Sequence, residues 1–549
     1  MKENKLARIV LIPTIAFPLS KSSVYIPLGL LAIKAYIKSV ADVIIVDPTV
    51  LIKQGVLCPD GDFYSYFADY LQGLDADLYA FSTKSGSYIQ TITAAETLKR
   101  RCPEKLVALG GPQASICDSV TMDTCNVDFV IRGEGEIPFF MLARALSEEG
   151  SISDIPSLTF KNKRNPDADR INSLDDLPIP EYEEYKDYYS EYLYGKPKYD
   201  IQSYIPVDSG RGCPGKCKFC YSPAMWNKKC RLKSSERLFT EVKYLYETFG
   251  INSFFFTEDN FTVDKKRTVK FCELLSSSGI PVSWSCYSRI DTIDEQTILS
   301  MKKAGCRQIY YGVESGSEKI LRLLDKKYSS SEANSIVAYT IDCGIEVTAS
   351  YIIGFTEETQ QDVIATLNSF TDSMVIGAVS KLHLIGVEYG TIYYSEVENS
   401  MKFLPSLSAS LLQKDYLIDE NMYQRISSDK RMFSYFYLSS VGFFEENWVK
   451  RFRIEYNYSL FTEVLKKIRA SLPENFLLLH LNNMISRLNY SVLGETLEEK
   501  VTFFKDSLYD TLDQFSANDI MELLLSEYEK WMNGNTNVKM ISKTIVAEE

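Results

Sequence analysis

The sequence predicts an α/β chain in three parts: a doubly wound N-terminal domain, a central partial barrel of six βα units and a mainly helical C-terminal region. Three observations predict this. Short apolar runs alternate with helical stretches over residues 1–160, the same alternation returns over 199–400, and a 3.6-residue period dominates 401–549. A length of 549 residues with 45% hydrophobic and 24% charged content supplies core for about three domains.

In the first part, the strands are Ile9–Ile12, Asp42–Val46, Leu78–Phe81, Leu106–Leu109 and Phe129–Ile131. Helical spacing falls at Gly29–Val40 and Ile89–Arg101. Strands alternating with helices imply right-handed crossovers and a parallel sheet, whose ligands sit beyond the carboxyl ends of the strands. Those ends carry Ser82-Thr83, Gly110-Gly111-Pro112 and Gly133-Glu134-Gly135-Glu136. Lys2, Lys5 and Arg8 before the apolar stretch Ile9–Pro18 faintly resemble a secretion signal. Pro13 and Pro18 break that stretch and no small-residue cleavage site follows, so the expectation is a buried strand running into a loop.

Residues 161–198 lose the rhythm. Leu177-Pro178-Ile179-Pro180 is rigid, and the following Tyr-, Glu- and Lys-rich stretch reads as a linker. In the second alternating block the strands are Tyr204–Val207, Ser253–Phe256, Val282–Cys286, Gln308–Val313, Val347–Ile353 and Lys381–Ile385. Helices Ser235–Phe249, Lys265–Ser278 and Glu332–Cys343 lie between them. Sites on such barrels form at the C-terminal ends of the strands. Beyond residue 400, Val501, Phe504, Leu508, Leu512 and Phe515 mark one helix face, and Ser516 to Asp519 has the form of a capping box.

Composition excludes several classes. A net charge of −13 is a poor match to non-specific nucleic-acid binding, and no run reaches the ~18 apolar residues of a membrane-spanning helix. The chain is expected in the cytoplasm. Twelve cysteines, none after Cys343, are too few for a disulfide scaffold, and their one tight cluster points to metal. His383 and His480 are the only histidines, which sets aside His-ligated zinc and most histidine acid–base schemes.

The cluster is Gly212-Cys213-Pro214-Gly215-Lys216-Cys217-Lys218-Phe219-Cys220, immediately after the first barrel strand. Three thiolates on one loop can face one centre, and soft thiolates select iron–sulfur clusters or zinc. A four-iron cluster held by three of them keeps one iron open for another ligand. The other readings of the same residues are structural zinc with Cys230 as fourth ligand, inert buried thiols, or an electron-carrying cluster closed by Cys230.

This loop resembles the signature of radical S-adenosylmethionine (SAM) enzymes, including the aromatic Phe219 before the last cysteine. The resemblance implies a [4Fe-4S] cluster on Cys213, Cys217 and Cys220. Its open iron holds SAM, which one electron cleaves to a 5′-deoxyadenosyl radical that takes hydrogen from substrate. Other strand ends look similar to the family at matched places. It implies Glu258 near the SAM amino group, and Arg289 on its carboxylate or organising the site. It also implies Glu314 or Ser315 near the ribose or methionine end, and Ile353-Gly354 against adenine. Tyr389–Tyr394 lies where substrate contacts are expected.

Over residues 5–400 the chain resembles radical SAM enzymes with a Rossmann-like cobalamin-binding domain. The stretches that carry this are Tyr25–Leu30, Phe81-Ser82-Thr83, Gly110-Gly111-Pro112-Gln113-Ala114 and Asp128–Glu136, with Leu174–Pro178 as the bridge to the barrel. It implies cobalamin held by Ser82, Thr83, Gly110, Gly111, Pro112, Gln113 and Glu134. No histidine precedes His383, so this domain supplies no histidine to the cobalt, and Gln113 stands where relatives often have one. The pairing implies methylation of an unactivated carbon or a phosphorus centre of a small-molecule, lipid or peptide substrate, with a flavodoxin or ferredoxin as electron donor. The rivals are a cobalamin-dependent enzyme that closes or contracts rings, a cofactor-binding sensor without turnover, and a methylthiotransferase. The last needs a second cluster, for which Cys58, Cys102, Cys117 and Cys125 form no tight ligand set.

Overall fold

A computed structural model describes residues 6–15, 24–59, 61–148, 150–189, 204–403, 418–439, 461–487 and 497–533. The first sheet contains β1 (Ala7–Ile12), β2 (Ala41–Ile45), β3 (Leu78–Ser82), β4 (Leu106–Gly110), β5 (Phe129–Ile131), β6 (Leu158–Phe160) and β7 (Lys163–Arg164). Its order is 2-1-3-4-5-6-7, parallel through β5 and antiparallel at β6 and β7. The five parallel strands are those read from the sequence. The antiparallel edge hairpin is not, because strands of two or three residues leave no alternating pattern to count. Order 2-1-3-4-5 places the topological switch point between β1 and β3, so Ser82-Thr83 opens onto the crevice where such sheets bind ligands.

Both faces of this sheet are covered. Helices Leu28–Ile37 and Glu136–Ser147 pack Leu30, Ile37, Phe139 and Leu142 on one side, and helices Phe63–Gly73 and Tyr88–Arg101 pack Phe67, Leu71, Ile92 and Leu98 on the other.

The second sheet contains β8 (Ile205–Val207), β11 (Ser253–Phe256), β12 (Ser283–Ser288), β13 (Cys306–Glu314), β14 (Glu346–Ile353) and β15 (Val379–Leu384), all parallel and neighbouring in chain order. This is the six-unit partial barrel the sequence predicts. Its helices start where short polar side chains can take a free backbone N–H: Ser234, Asp264, Asp294, Ser317, Ser329 and Thr359 each accept one at a helix N-terminus. Between β8 and β11, β9 (Gly210–Arg211) and β10 (Arg231–Leu232) form a two-residue antiparallel ladder that closes the base of the cysteine loop. Isolated pairs of residues give no sequence signal, and this ladder was not foreseen.

The residues after 400 join two different cores. Ile418, Met422, Ile426, Met432, Phe433 and Phe436 pack into the first domain, whereas Phe461, Leu465, Phe504, Leu508 and Leu512 pack into the barrel's core. Of the helical face read from Val501, Phe504, Leu508, Leu512 and Phe515, the first four are buried and Phe515 is partly buried against the same core. The capping box at Ser516 is corrected: the helix runs Asn518–Met532, and Ser516 sits at φ 51° in the turn before it. Phe433–Tyr437 lies in this packing, and Phe443-Phe444 and Trp448 lie outside the described residues.

Candidate active site between the two sheets

The cysteine loop leaves β8 and turns at Gly212, whose φ is 89° and where a Cβ would stand 2.2 Å from the Lys229 carbonyl oxygen. Only glycine fits there. Cys217 is buried, and Cys213 and Cys220 are half-buried. The Gly215 amide approaches the Cys213 Sγ at 3.4 Å, and Arg289 Nη1 donates to the Cys217 Sγ at 3.3 Å. Burial pushes the Cys220 thiol up to about 12 and raises that of Cys213, each with its neighbouring loop thiols within electrostatic reach. Among the described residues no three Cys, His, Asp or Glu side chains are drawn close enough together to hold a metal ion. The donor set, three thiols on one loop with an amide and a guanidinium on their sulfurs, fits an iron–sulfur cluster.

Arg289 follows β12. Its Nε and Nη2 grip both oxygens of Asp291 at 2.9 and 2.7 Å, leaving Nη1 for Cys217. All three of its guanidinium nitrogens are therefore engaged within the protein. Arg289 and Lys326 hold Asp291 below the usual carboxylate range against the opposing effect of burial.

At the end of β13 the ladder shifts register between Gly312 and Glu314, and Glu314 adopts φ 69°. The bulge aims its carboxylate at Lys326, 2.8 Å away, and both side chains are largely buried. A Cβ on Gly312 would meet Glu314 Oε1 at 2.5 Å, which explains that glycine. Tyr328 donates to the Gly312 carbonyl at 2.8 Å. Lys326 and Tyr328 carry no motif, and only the fold brings them here.

Other expected contacts are used differently. Glu258 is fully buried and paired with Arg267 at 3.0 Å, and desolvation lifts it to about 8. The next residue, Asp259, is exposed to the cleft, takes a hydrogen bond from Ser222 and lies within electrostatic reach of Cys213 and Cys220. Asp259, not Glu258, is the β11-end carboxylate that faces the cysteine loop. Strand alternation could have separated the two. Ser315 is buried, bonded to Thr366 at 2.7 Å and to the Ser317 amide at 3.0 Å. Ile353 is buried, while Gly354 at φ 99° and Phe355 donate their amides to Glu358, at 2.5 and 3.0 Å. Phe219 packs edge-on against Phe355, which packs on Tyr393, so the aromatic of the cysteine loop joins the β14 end to the helix Ile392–Val397 that follows β15. Tyr393 and Tyr394 are buried in the same cluster, and Tyr389 packs against it.

The cobalamin-domain residues gather at the facing end of the first sheet. Thr83 donates to the Gly110 carbonyl at 2.7 Å and accepts from the Ala114 amide at 2.9 Å. Gly111 has φ 87°, and a Cβ there would lie 2.8 Å from both the backbone N and O of Thr83. Gly111→Ala is therefore expected to cost at least about 1–3 kcal/mol, read by denaturant unfolding; a variant as stable as the parent would contradict the loop geometry. Ser82 ends β3 beside it, its Oγ 3.1 Å from the same Cβ position.

Two residues that the resemblance assigns to cobalamin are engaged by protein partners in this structure. Gln113 is buried and donates its amide to the Met432 carbonyl at 3.0 Å, so it anchors the C-terminal segment. Glu134 takes Arg211 at 2.8 Å and Arg231 at 2.6 Å. Its carboxylate is spent on the barrel, and these arginines hold it below the usual range despite burial.

The two loop sets meet. Tyr221, directly after Cys220, donates its hydroxyl to the Pro112 carbonyl, and the helix it starts, Tyr221–Trp226, packs on Pro112–Ile116. Loops at the carboxyl ends of both sheets thus meet.

Comparison with known proteins agrees with this architecture. Residues 207–370 match the radical SAM superfamily model and residues 20–143 the B12-binding domain model. An uncharacterized methyltransferase of Pyrococcus horikoshii is 31% identical over 349 residues, which is 62% of this chain and 72% of that protein. Cytidylyl-2-hydroxyethylphosphonate methyltransferase of Streptomyces wedmorensis is 25% identical over 46% of this chain and 52% of its own length. An anaerobic magnesium-protoporphyrin IX monomethyl ester cyclase of Synechocystis is 23% identical over 49% and 54%. The chain therefore spans about half the length of these last two. The structure of the cobalamin-dependent SAM radical enzyme OxsB, with aqua-cobalamin and SAM bound, superposes with a TM-score of 0.66 at 13% identity, covering 99% of this chain and 83% of that one. Among the described residues no helix is long and apolar enough to cross a membrane. With the cysteine loop, the switch-point loops and both domain models in one chain, the protein belongs to the cobalamin-dependent radical SAM enzymes, whose cofactors are a [4Fe-4S] cluster, SAM and cobalamin.

Proposed function

We propose that the enzyme transfers a methyl group to an unactivated carbon, or to phosphorus, of a small-molecule, lipid or peptide substrate held in the cleft. The observation that supports this is the contact between the loop after Cys220, read as the cluster loop, and the Gly111-Pro112 loop, read as a cobalamin loop. Two relatives named as methyltransferases support it. Bound together, the three cofactors supply a hydrogen-abstracting radical and a transferable methyl group, which is chemistry that side chains lack.

The chain's own residues bind and orient. Cys213, Cys217 and Cys220 hold the cluster, and Arg289, fixed by Asp291, donates to the Cys217 sulfur. Asp259, Glu314 and the Gly354 turn border the same end of the barrel and are the residues offered to SAM. Ser82, Thr83 and Gly110 to Pro112 form the cobalamin side. Phe219, Phe355, Tyr393 and Tyr394 make a dry wall beside the cysteine loop, which helps exclude water from a reactive intermediate. A flavodoxin or ferredoxin of the cytoplasm is the proposed electron donor.

The cyclase relative supports one second reading, ring formation with the same cofactors. Methyl-labelled SAM separates the two. The proposal expects label in the substrate fraction, together with S-adenosylhomocysteine and 5′-deoxyadenosine. A product whose mass falls by hydrogen loss, with no label, would favour cyclisation.

A further inference from the structure

The cysteine loop spans residues 212–230, and both of its stems end in arginine. Arg211 in β9 and Arg231 in β10 pair across the ladder that closes the loop. Both side chains turn to one carboxylate of the other domain. Glu134 Oε1 lies 2.8 Å from Arg211 Nη1 and 2.6 Å from Arg231 Nη2, and Oε2 lies 3.0 Å from Arg231 Nη1. Glu136 adds a bond to Arg211 at 2.7 Å, and Asp208 meets the same arginine at 3.3 Å. The five side chains are only 4–13% exposed.

Glu134 sits in the Gly133-Glu134-Gly135 turn that follows β5, beside the loops assigned to cobalamin. Gly133 ties that turn to the neighbouring loop: its amide donates at 3.0 Å to Ser115, whose hydroxyl bonds the Gly111 carbonyl at 2.7 Å. A continuous chain of bonds therefore runs from the stems of the cysteine loop through Glu134 and Gly133 to Gly111. Tyr221 on Pro112 makes a second connection from the other end of the loop.

We infer that Glu134 is a positioning residue that couples the two cofactor sites, so that cluster assembly and cobalamin binding strengthen each other. The physical reason is that the loop holding the three thiols and the turn leading to Gly111 are tied at one charged fork. A cluster on the thiols restrains the stems of that loop, and restrained stems hold Arg211 and Arg231, and with them Glu134 and its turn. Charged forks buried at this depth have few alternative arrangements, and a bidentate Arg–carboxylate pair transmits geometry as well as charge. Coupling between two binding sites is reciprocal by thermodynamic necessity. A merely structural ion pair would stabilise the fold without linking the two affinities.

The inference rests on the assignment of the loop to the cluster and of the first domain to cobalamin, and is independent of methyl transfer. The test titrates hydroxocobalamin into the full chain under anaerobic conditions, with and without the reconstituted cluster, and follows the visible spectrum. The parent is expected to bind cobalamin about tenfold more tightly when the cluster is present, within the ordinary range of coupling. In Glu134→Gln that ratio is expected to fall towards one, with iron retention on dilution reduced in parallel. Arg231→Gln gives the same readout should Glu134→Gln fold poorly. Equal affinities in the parent, or a ratio undiminished in a folded variant, would overturn the coupling while leaving the cofactor assignments standing. A parent that takes up iron and sulfide but no cobalamin would overturn the cobalamin assignment and the coupling with it.

Discussion

Cys217→Ala is expected to hold less than one iron where the reconstituted parent holds about four, and to lose the broad visible absorption of the cluster entirely. Of the three loop cysteines, Cys217 is the buried one and accepts the Arg289 hydrogen bond, so removing it takes away a ligand and the acceptor of that bond together. The replacement also leaves the Arg289 Nη1 without its acceptor in a half-buried setting. Anaerobic reconstitution followed by iron and sulfide assay reads the result. A variant that retained a full cluster would show that Cys213, Cys220 and some other residue such as Cys230 suffice, and the assignment of the loop would have to change.

The second large effect is on folding. Lys326→Met is expected to destabilise the cluster-free protein by about 3–5 kcal/mol. Burial alone would pull the Lys326 ammonium down, but Glu314 outweighs it and holds the group above its ordinary value. Taking the cation away leaves the Glu314 carboxylate buried, on a backbone already at φ 69°. The double replacement Glu314→Gln with Lys326→Met removes the orphaned charge and is expected to recover most of the loss. Denaturant unfolding of the parent, both single variants and the double variant closes the cycle. A Lys326→Met protein within about 1 kcal/mol of the parent would mean that water reaches the pair and that its burial is overstated.

These two sites show what the sequence could and could not disclose. The cysteine loop was legible because its spacing is local, and a thiol trio on one loop has few other uses. The parallel strands were legible because apolar runs bounded by glycine and proline recur through both α/β blocks. Arg289 and Glu314 were singled out because they end strands in register with that loop. Their partners were not legible: Lys326 sits in a Lys-Lys pair that reads as a solvated surface, and only the bulge at Gly312 turns Glu314 towards it. Glu258 and Asp259 are adjacent, so a slip of one residue decides which faces the barrel's helices and which faces the cleft. The resemblance of Asp128–Glu136 points Glu134 to the cofactor, and its two arginine partners lie 77 and 97 positions away along the chain. Contacts of that separation leave no local pattern. For the same reason the split of the C-terminal residues between two cores could not be read from their helical period alone.

Radical generation from SAM at this cysteine loop is tested by the formation of 5′-deoxyadenosine by the anaerobically reconstituted full chain, given SAM and a strong reductant, with Cys217→Ala run beside it. Nucleoside is expected from the parent, and none above the reductant-only background from the variant. Equal nucleoside from both, or none from a parent shown to carry its full cluster with reductant and substrate present, would contradict it.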